Sequence, residues 1–131
     1  MHKDERGRVS FVNDFNFPHV KRFYVVETRV KGSLRGWHGH RHEGKYVFPI
    51  QGKAIVAAVE VDNWESPSKN IRLFQFILNS AKPCILYIPP GFANGFKSHT
   101  MHTKLMFFST STLEDSLIDD IRFPADYWTL K

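Results

Sequence analysis

Short runs of β-branched and aromatic residues, broken by turn signals roughly every 8–12 residues, constrain this chain more than any other feature. Residues 22–27 (Arg-Phe-Tyr-Val-Val-Glu), 46–51, 54–61, 71–78, 84–88 and 104–109 read as strands. The run 84–88 is continuously apolar, which predicts a buried strand. Residues 1–8 read as frayed, and Val9-Ser10-Phe11-Val12 alternates as a short first strand. Gly52-Lys53 has the spacing of a hairpin turn between two of the runs. Residues 13–18, 30–33 and 62–70 are turn-rich or polar, and Pro89-Pro90-Gly91 stops a run sharply before 92–96 turns back. Only 112–120 offers helical features, with Thr112 and Asp115 at the spacing of a capping pair. The chain carries 12 Phe, a residue that favours pleated, half-buried surfaces. The expected architecture is all-β: one domain over residues 1–131, a small sandwich or barrel able to hold one ligand in its mouth.

The lone cysteine, Cys84, leaves no disulfide to form within the chain and suits a reducing, cytoplasmic setting. No apolar run approaches the roughly 20 residues of a membrane helix. The opening Met1-His2-Lys3-Asp4-Glu5-Arg6 is polar and mixed in charge, unlike a signal peptide, so no membrane partner is expected. The net charge is +5, but the basic residues are spread along the chain rather than run together. A pocket for a phosphorylated small molecule accounts for that excess, and no nucleic-acid partner is expected.

The chemistry gathers between Arg35 and Gly52. His38, His40 and His42 alternate, so in an extended strand all three project to one face. Arg35, Arg41 and Lys45 add positive charge to the same segment. Imidazoles among cations suit an anionic ligand, or mark a metal site that has lost ligands. A lysine at the start of an apolar strand is unusual, because lysine is seldom buried unpaired.

This pattern resembles the cupins, small jelly-roll barrels. His38-x-His40 is followed at the cupin spacing by Lys45 where the pattern carries a metal-binding Glu, and then by Gly52. Pro89-Pro90-Gly91-Phe92-Ala93-Asn94 keeps the frame of the second cupin motif, with Asn94 where a His belongs. An ammonium and a carboxamide are poor substitutes for a carboxylate and an imidazole at a cation. The site is therefore read as metal-free and without a cofactor. A three-histidine set using His42 is the formal alternative.

Within the cupins the chain resembles two groups of nucleotide-sugar isomerases. The dTDP-4-dehydrorhamnose 3,5-epimerase family is similar at Arg35-Gly36-Trp37-His38, Gly44-Lys45, residues 88–96 and Ile121-Arg122-Phe123. The sugar 3,4-ketoisomerase family is similar at residues 35–40, in the distance to Gly52 and in its short length. The epimerases place a proton-donating tyrosine after a late strand, where this chain has Phe107-Phe108-Ser109-Thr110-Ser111-Thr112.

Both resemblances imply removal of a proton beside a sugar ketone, which needs a base near neutrality and a cation for the enolate oxygen. His38 is the expected base, Lys45 the enolate stabiliser, and His40 a second proton carrier. Asp119, Asp120 and Asp126 are alternative partners for His38. Arg35 suits a diphosphate. Arg22, Tyr24, Trp37 and Asn94 complete the expected substrate-binding set, the aromatics as a base platform.

The implied function is an epimerase or isomerase of a nucleotide-linked 4-keto-6-deoxysugar, in deoxysugar or surface-polysaccharide biosynthesis. The alternatives are a 3,4-ketoisomerase on the same substrate class and a non-catalytic nucleotide-sugar binder. A homodimer with partly shared sheets is expected, because pairing across subunits hides edge strands.

Overall fold

The computed structural model describes residues 1–130. The strands are β1 (His2–Asp4), β2 (Gly7–Val9), β3 (Arg22–Thr28), β4 (Leu34–His40), β5 (Lys45–Gln51) and β6 (Lys53–Glu60). They continue with β7 (Phe74–Asn79), β8 (Leu86–Ile88), β9 (Phe92–Ser98), β10 (Thr103–Ser109) and β11 (Ile121–Arg122), with helix α1 (Leu113–Ile118) before the last. Two antiparallel sheets form the body, in the orders β3-β10-β5-β8 and β11-β4-β9-β6-β7. Val47 and Leu105 from the first sheet and Val56, Leu78 and Phe96 from the second share one buried cluster, so the sheets pack face to face. The all-β jelly-roll expectation holds.

The alternation of β6 explains its continuous apolar sequence. Ala54, Val56 and Ala58 point between the sheets, whereas Ala57 and Val59 point outward into a second cluster with Trp37, Ala93 and Trp128. The C-terminal segment closes that outer face: Trp128 Nε1–H donates to the Ser68 carbonyl at 3.0 Å, and Phe123, Tyr127 and Leu130 pack against it. The second sheet is thus buried on both sides, and such strands lose the in/out pattern.

Four sequence expectations are corrected. Residues 1–8 are not frayed: β1 and β2 pair as a hairpin, with His2 opposite Val9, and of the 9–12 run only Val9 is in a strand. The Gly52 turn is not a hairpin. β5 pairs with β10 and β8, and β6 pairs with β7 and β9, so the chain changes sheet at this corner. Gly52 takes φ +82°, and a Cβ there would collide with Thr100 Oγ1. The apolar 84–88 run is an edge strand of only three residues, with Cys84 and Tyr87 exposed. The 71–78 run enters its strand only at Phe74, while Ile71 and Leu73 turn aside to cover the outer cluster. The capping pair does form, with Thr112 Oγ1 accepting from the Asp115 N–H at 3.2 Å.

Candidate active site

The mouth of the sandwich holds a cavity of about 250 Å³. β4 supplies its first wall: the strand alternation puts His38 and His40 on the same face, both on the cavity. β9 lies beside it and sets Asn94 directly opposite His38. Lys45 opens β5, Arg22 and Tyr24 come from β3, and Phe107 comes from β10. Ser116 on α1 and Asp120 just after it close the end. β4 stops at His40, so His42 leaves the shared face and is exposed outside this cavity. The three-histidine set does not assemble.

The two histidines have different partners. His38 Nδ1 lies 3.5 Å from Asp120 Oδ1, which decides among the three candidate aspartates. Burial pulls the His38 imidazole below its ordinary titration range, while Asp120 works against that pull. Burial acts to raise the Asp120 carboxyl, but Arg122, 3.0 Å away, and His38 together hold it below the ordinary value. His40 is buried, and its Nδ1 lies 2.8 Å from the Asp119 carbonyl oxygen. A carbonyl only accepts, so Nδ1 carries the proton and Nε2 holds the lone pair of the neutral ring. Burial, then Lys45, push the His40 imidazole down, while Glu43 pushes up.

Asp119 is a structural clasp. Its carboxylate accepts the backbone N–H groups of Arg41, His42 and Glu43 at 2.8, 2.9 and 3.1 Å. It ties the end of α1 to the turn after β4, which brings the Asp119 carbonyl to His40 and Asp120 to His38. Asp126 lies elsewhere, on the exposed C-terminal segment.

Lys45 is only 7% exposed, and its ammonium sits 5.8 Å from the centre of the Phe107 ring. Burial lowers its pKa, against the pull of Glu43. Tyr24 stacks on Phe107 at 5.2 Å with the rings 6° from parallel. Burial, helped by Glu43, pushes the Tyr24 phenol up to about 12. It therefore stays protonated at neutral pH. Arg22 lies over the Tyr24 ring, 4.9 Å from its centre. Arg35 stands at the rim, its Nε donating to Thr28 Oγ1 at 3.2 Å.

Three buried atoms on the cavity have no hydrogen-bond partner among the described residues: Arg22 Nε, His40 Nε2 and Asn94 Oδ1. Buried polar groups are normally satisfied. One donor and two acceptors left open in one cavity fit a polar ligand rich in hydroxyl groups.

Of the expected substrate-binding residues, Arg22, Tyr24, Arg35 and Asn94 meet on this cavity with His38, His40 and Lys45. Trp37 does not. Its side chain alternates to the opposite face of β4, is 1% exposed, and packs edge-on against Trp128 at 5.3 Å. Its indole N–H donates to the Ala125 carbonyl at 3.2 Å, so it anchors the outer cluster instead of a base. The residue that sequence reasoning missed is Glu43. It is buried beneath the cavity and accepts hydrogen bonds from Ser109 Oγ at 2.5 Å and Ser116 Oγ at 2.8 Å. Its only local signal is its place between His42 and Gly44-Lys45, which reads as a solvated loop. Among the described residues no three His, Cys, Asp or Glu side chains converge as a metal site would require.

Several solved structures share this fold. A dTDP-4-dehydrorhamnose 3,5-epimerase from Sulfolobus tokodaii superposes with a TM-score of 0.74 at 27% identity, over 95% of this chain and 73% of that one. A 3'-monoepimerase from Streptomyces bikiniensis, in complex with dTDP-quinovose, gives 0.68 at 21% identity, over 85% of this chain and 60% of that one. A TDP-quinovose 3,4-ketoisomerase from Campylobacter jejuni gives 0.68 at 19% identity, over 95% and 88% of the two chains. The chain spans 60% of the length of the Streptomyces protein and likewise of a Mycobacterium tuberculosis epimerase. A comparison with curated protein sequences found no match. The family model described as dTDP-4-dehydrorhamnose 3,5-epimerase matches residues 1–123, nearly the whole chain, and this protein belongs to that family.

Proposed function

We propose that the protein is an epimerase or isomerase of a nucleotide-linked 4-keto-6-deoxysugar, working by proton abstraction beside the ketone. The observation that carries this reading is the meeting of His38, backed by Asp120, with the buried Lys45 in one cavity. His38 Nε2 takes the proton from the carbon next to the ketone, and the C–H electron pair moves onto the ketone oxygen. The Lys45 ammonium stabilises that oxyanion in a water-poor site, where charge pairs strengthen. The cation that many cupins supply with a metal ion is here a side chain, so the reaction as drawn needs no cofactor.

The cavity, about 250 Å³, is smaller than the roughly 300–1,000 Å³ of sites that enclose a whole ligand. The hexose sits inside, and the nucleotide lies across the rim. Arg22 and Arg35 serve the diphosphate there, since a guanidinium binds phosphate bidentately. Asn94 and His40 accept from sugar hydroxyls. The Streptomyces neighbour is a complex with dTDP-quinovose, which suits this substrate class.

A second reading, a 3,4-keto shift on the same substrate, is favoured by one feature. The late strand β10 ends in Phe107-Phe108-Ser109 and offers no tyrosine across the cavity from His38. His38 and His40 share one face, which suits proton traffic between neighbouring positions. In the epimerase reading the donor role falls to Tyr24, whose phenol stays protonated beside Phe107.

The protein works as a homodimer in the cytoplasm, within deoxysugar or surface-polysaccharide synthesis. The exposed thiol of Cys84 suits a reducing compartment. The test is proton NMR with dTDP- and GDP-linked 4-keto-6-deoxysugars in heavy water. Exchange at both carbons flanking the ketone supports epimerisation, and exchange at one with a 3-keto product supports the keto shift. Binding without exchange at either would overturn both readings and leave a binding protein.

A further inference from the structure

Glu43 is a buried carboxylate that the reaction above does not use, and its surroundings say what it does. The side chain is 1% exposed. Oε2 accepts from Ser109 Oγ, with Arg22 Nη2 at 3.6 Å, and Oε1 accepts from Ser116 Oγ. Arg22 Nη2 also donates to Ser116 Oγ at 2.8 Å, so three side chains fix the carboxylate from two strands and the helix. Held this way, Oε1 lies 3.5 Å from His40 Nδ1. That is too long to compete with the Asp119 carbonyl at 2.8 Å for the ring proton. Glu43 therefore acts on His40 through its charge, while the carbonyl sets the tautomer.

We propose that Glu43 is a positioning residue that makes His40 a second acid/base unit, separate from His38–Asp120, by stabilising the charged His40 imidazolium. This rests on the keto-shift or epimerase reading for the reaction it serves. The charged and titratable groups around His40 are Asp119 after α1, Glu43 before β5, Lys45 on β5, and, farther off, Arg22 on β3 with His38 and Asp120. Burial, then Lys45, disfavour a charged ring; Glu43 is the largest influence opposing them, with the buried Asp119 adding to it through its carbonyl and its carboxylate. An imidazole that must alternate between charged and neutral forms needs that balance.

In a keto shift the proton ledger closes on the two rings. His38 takes the carbon-bound proton, and the electron pair passes to the ketone oxygen. Neutral His40 takes the proton of the neighbouring hydroxyl at Nε2, becoming the imidazolium that Glu43 stabilises, and passes it to the former ketone oxygen. The electron pair left on the neighbouring oxygen forms the new ketone as His38 returns its proton to the other carbon. Both rings end as they began, and no oxidant or further reactant is needed.

The test starts with the wild-type protein and nitrogen-15 NMR of its histidine rings. His40 should show Nδ1–H with a bare Nε2 in its neutral form, and the Glu43 carboxyl carbon should respond along the His40 titration. The opposite tautomer, or no response at Glu43, would overturn the proposal without any variant. In Glu43→Gln the His40 titration should move to lower pH while that of His38 stays in place. Glu43→Asp, which keeps the charge, should restore it in part.

With substrate, Glu43→Gln should slow product formation on the order of 100-fold, the range of a lost acid/base contribution. Deuterium wash-in at the carbon served by His38 should slow far less. Equal slowing of both, or an unmoved His40 titration, would make Glu43 merely structural. If the wild type exchanges no sugar proton, the functional reading fails, but the ring titrations still decide the link from Glu43 to His40.

Discussion

Two imidazoles on one strand face, His38 and His40, owe their difference to what lies behind them. His38 has a carboxylate at Nδ1 and His40 a carbonyl. His38→Asn should abolish solvent deuterium incorporation beside the ketone, a loss on the order of 10²–10⁴-fold for a general base. Retained incorporation would remove His38 from that role. The pH dependence follows from signs. Burial lowers the His38 pKa, so the ring is neutral and competent at pH 7, and the rate falls on acidification as it protonates. Asp120 favours the charged ring, so Asp120→Asn should move this acid limb to still lower pH. The plateau rate should drop as well, because Nδ1 loses the group that orients it. An acid limb that moved upward would contradict the pairing. The residues that meet on the cavity were legible in sequence where they sat within one short segment, as His38, His40 and Lys45 do. Asp120 could not be told from Asp119 and Asp126, because only the closure of α1 onto β4 brings one carboxylate to the ring. Glu43 was illegible because its burial comes from β10 and α1, which its own neighbours do not announce.

Elements place those residues through their ends and corners more than their interiors. α1 is only six residues long, and an isolated helix of that length is unstable in water. It persists because Thr112 caps it and Asp119 clasps the turn after β4. Thr112→Ala should cost about 1 kcal/mol, measured by denaturant unfolding. Because Ser116 rides on this helix, the same change should weaken activity although Thr112 lies off the cavity. Gly52 is the corner at which the chain leaves one sheet for the other. Gly52→Ala meets both a left-handed φ, worth roughly 1–2 kcal/mol, and the Thr100 hydroxyl. It should lower the Tm by several degrees; an unchanged Tm would mean the corner can rearrange. Strand identity was readable for the runs that became β3, β5, β6 and β10, though not for β1 and β2, and strand partnership was not readable. Turn spacing alone makes 46–51 and 54–61 a hairpin, but β5 and β6 alternate toward the same interior from opposite sheets, so the two strands cannot pair. Interior filling, a property of both sheets together, decides between a hairpin and a corner.

Among the described residues, the first sheet and the segment before it each leave a feature without a partner within the chain. β3 is an edge strand whose outward residues Phe23 and Val25 are 65% and 48% exposed. An edge that presents both free backbone groups and apolar side chains invites pairing with another chain. The β1–β2 hairpin forms a sheet of its own, followed by exposed Phe11, and a lone hairpin is marginal in water. Each feature is what the other lacks: one offers an open edge, the other strands without a sheet. A two-fold dimer in which each subunit's N-terminal segment lies on its partner's first sheet satisfies both, and it would bring a second chain close to Arg22 and Tyr24 at the cavity rim. The protein should therefore sediment as a dimer at micromolar concentration. A Phe23→Lys, Val25→Lys double variant should shift it to monomer, since ammonium groups would replace the apolar side chains on which the partner's N-terminal segment is proposed to lie. Removal of residues 1–11 should weaken the dimer as well, because it takes away the strands proposed to lie on the partner's sheet. Both changes leave every residue assigned to proton transfer in place. A fall in substrate affinity in the monomeric forms would mean that the partner completes the nucleotide side of the site. Undiminished affinity would confine the dimer to burying the edge, and a monomeric wild type would remove the interface altogether.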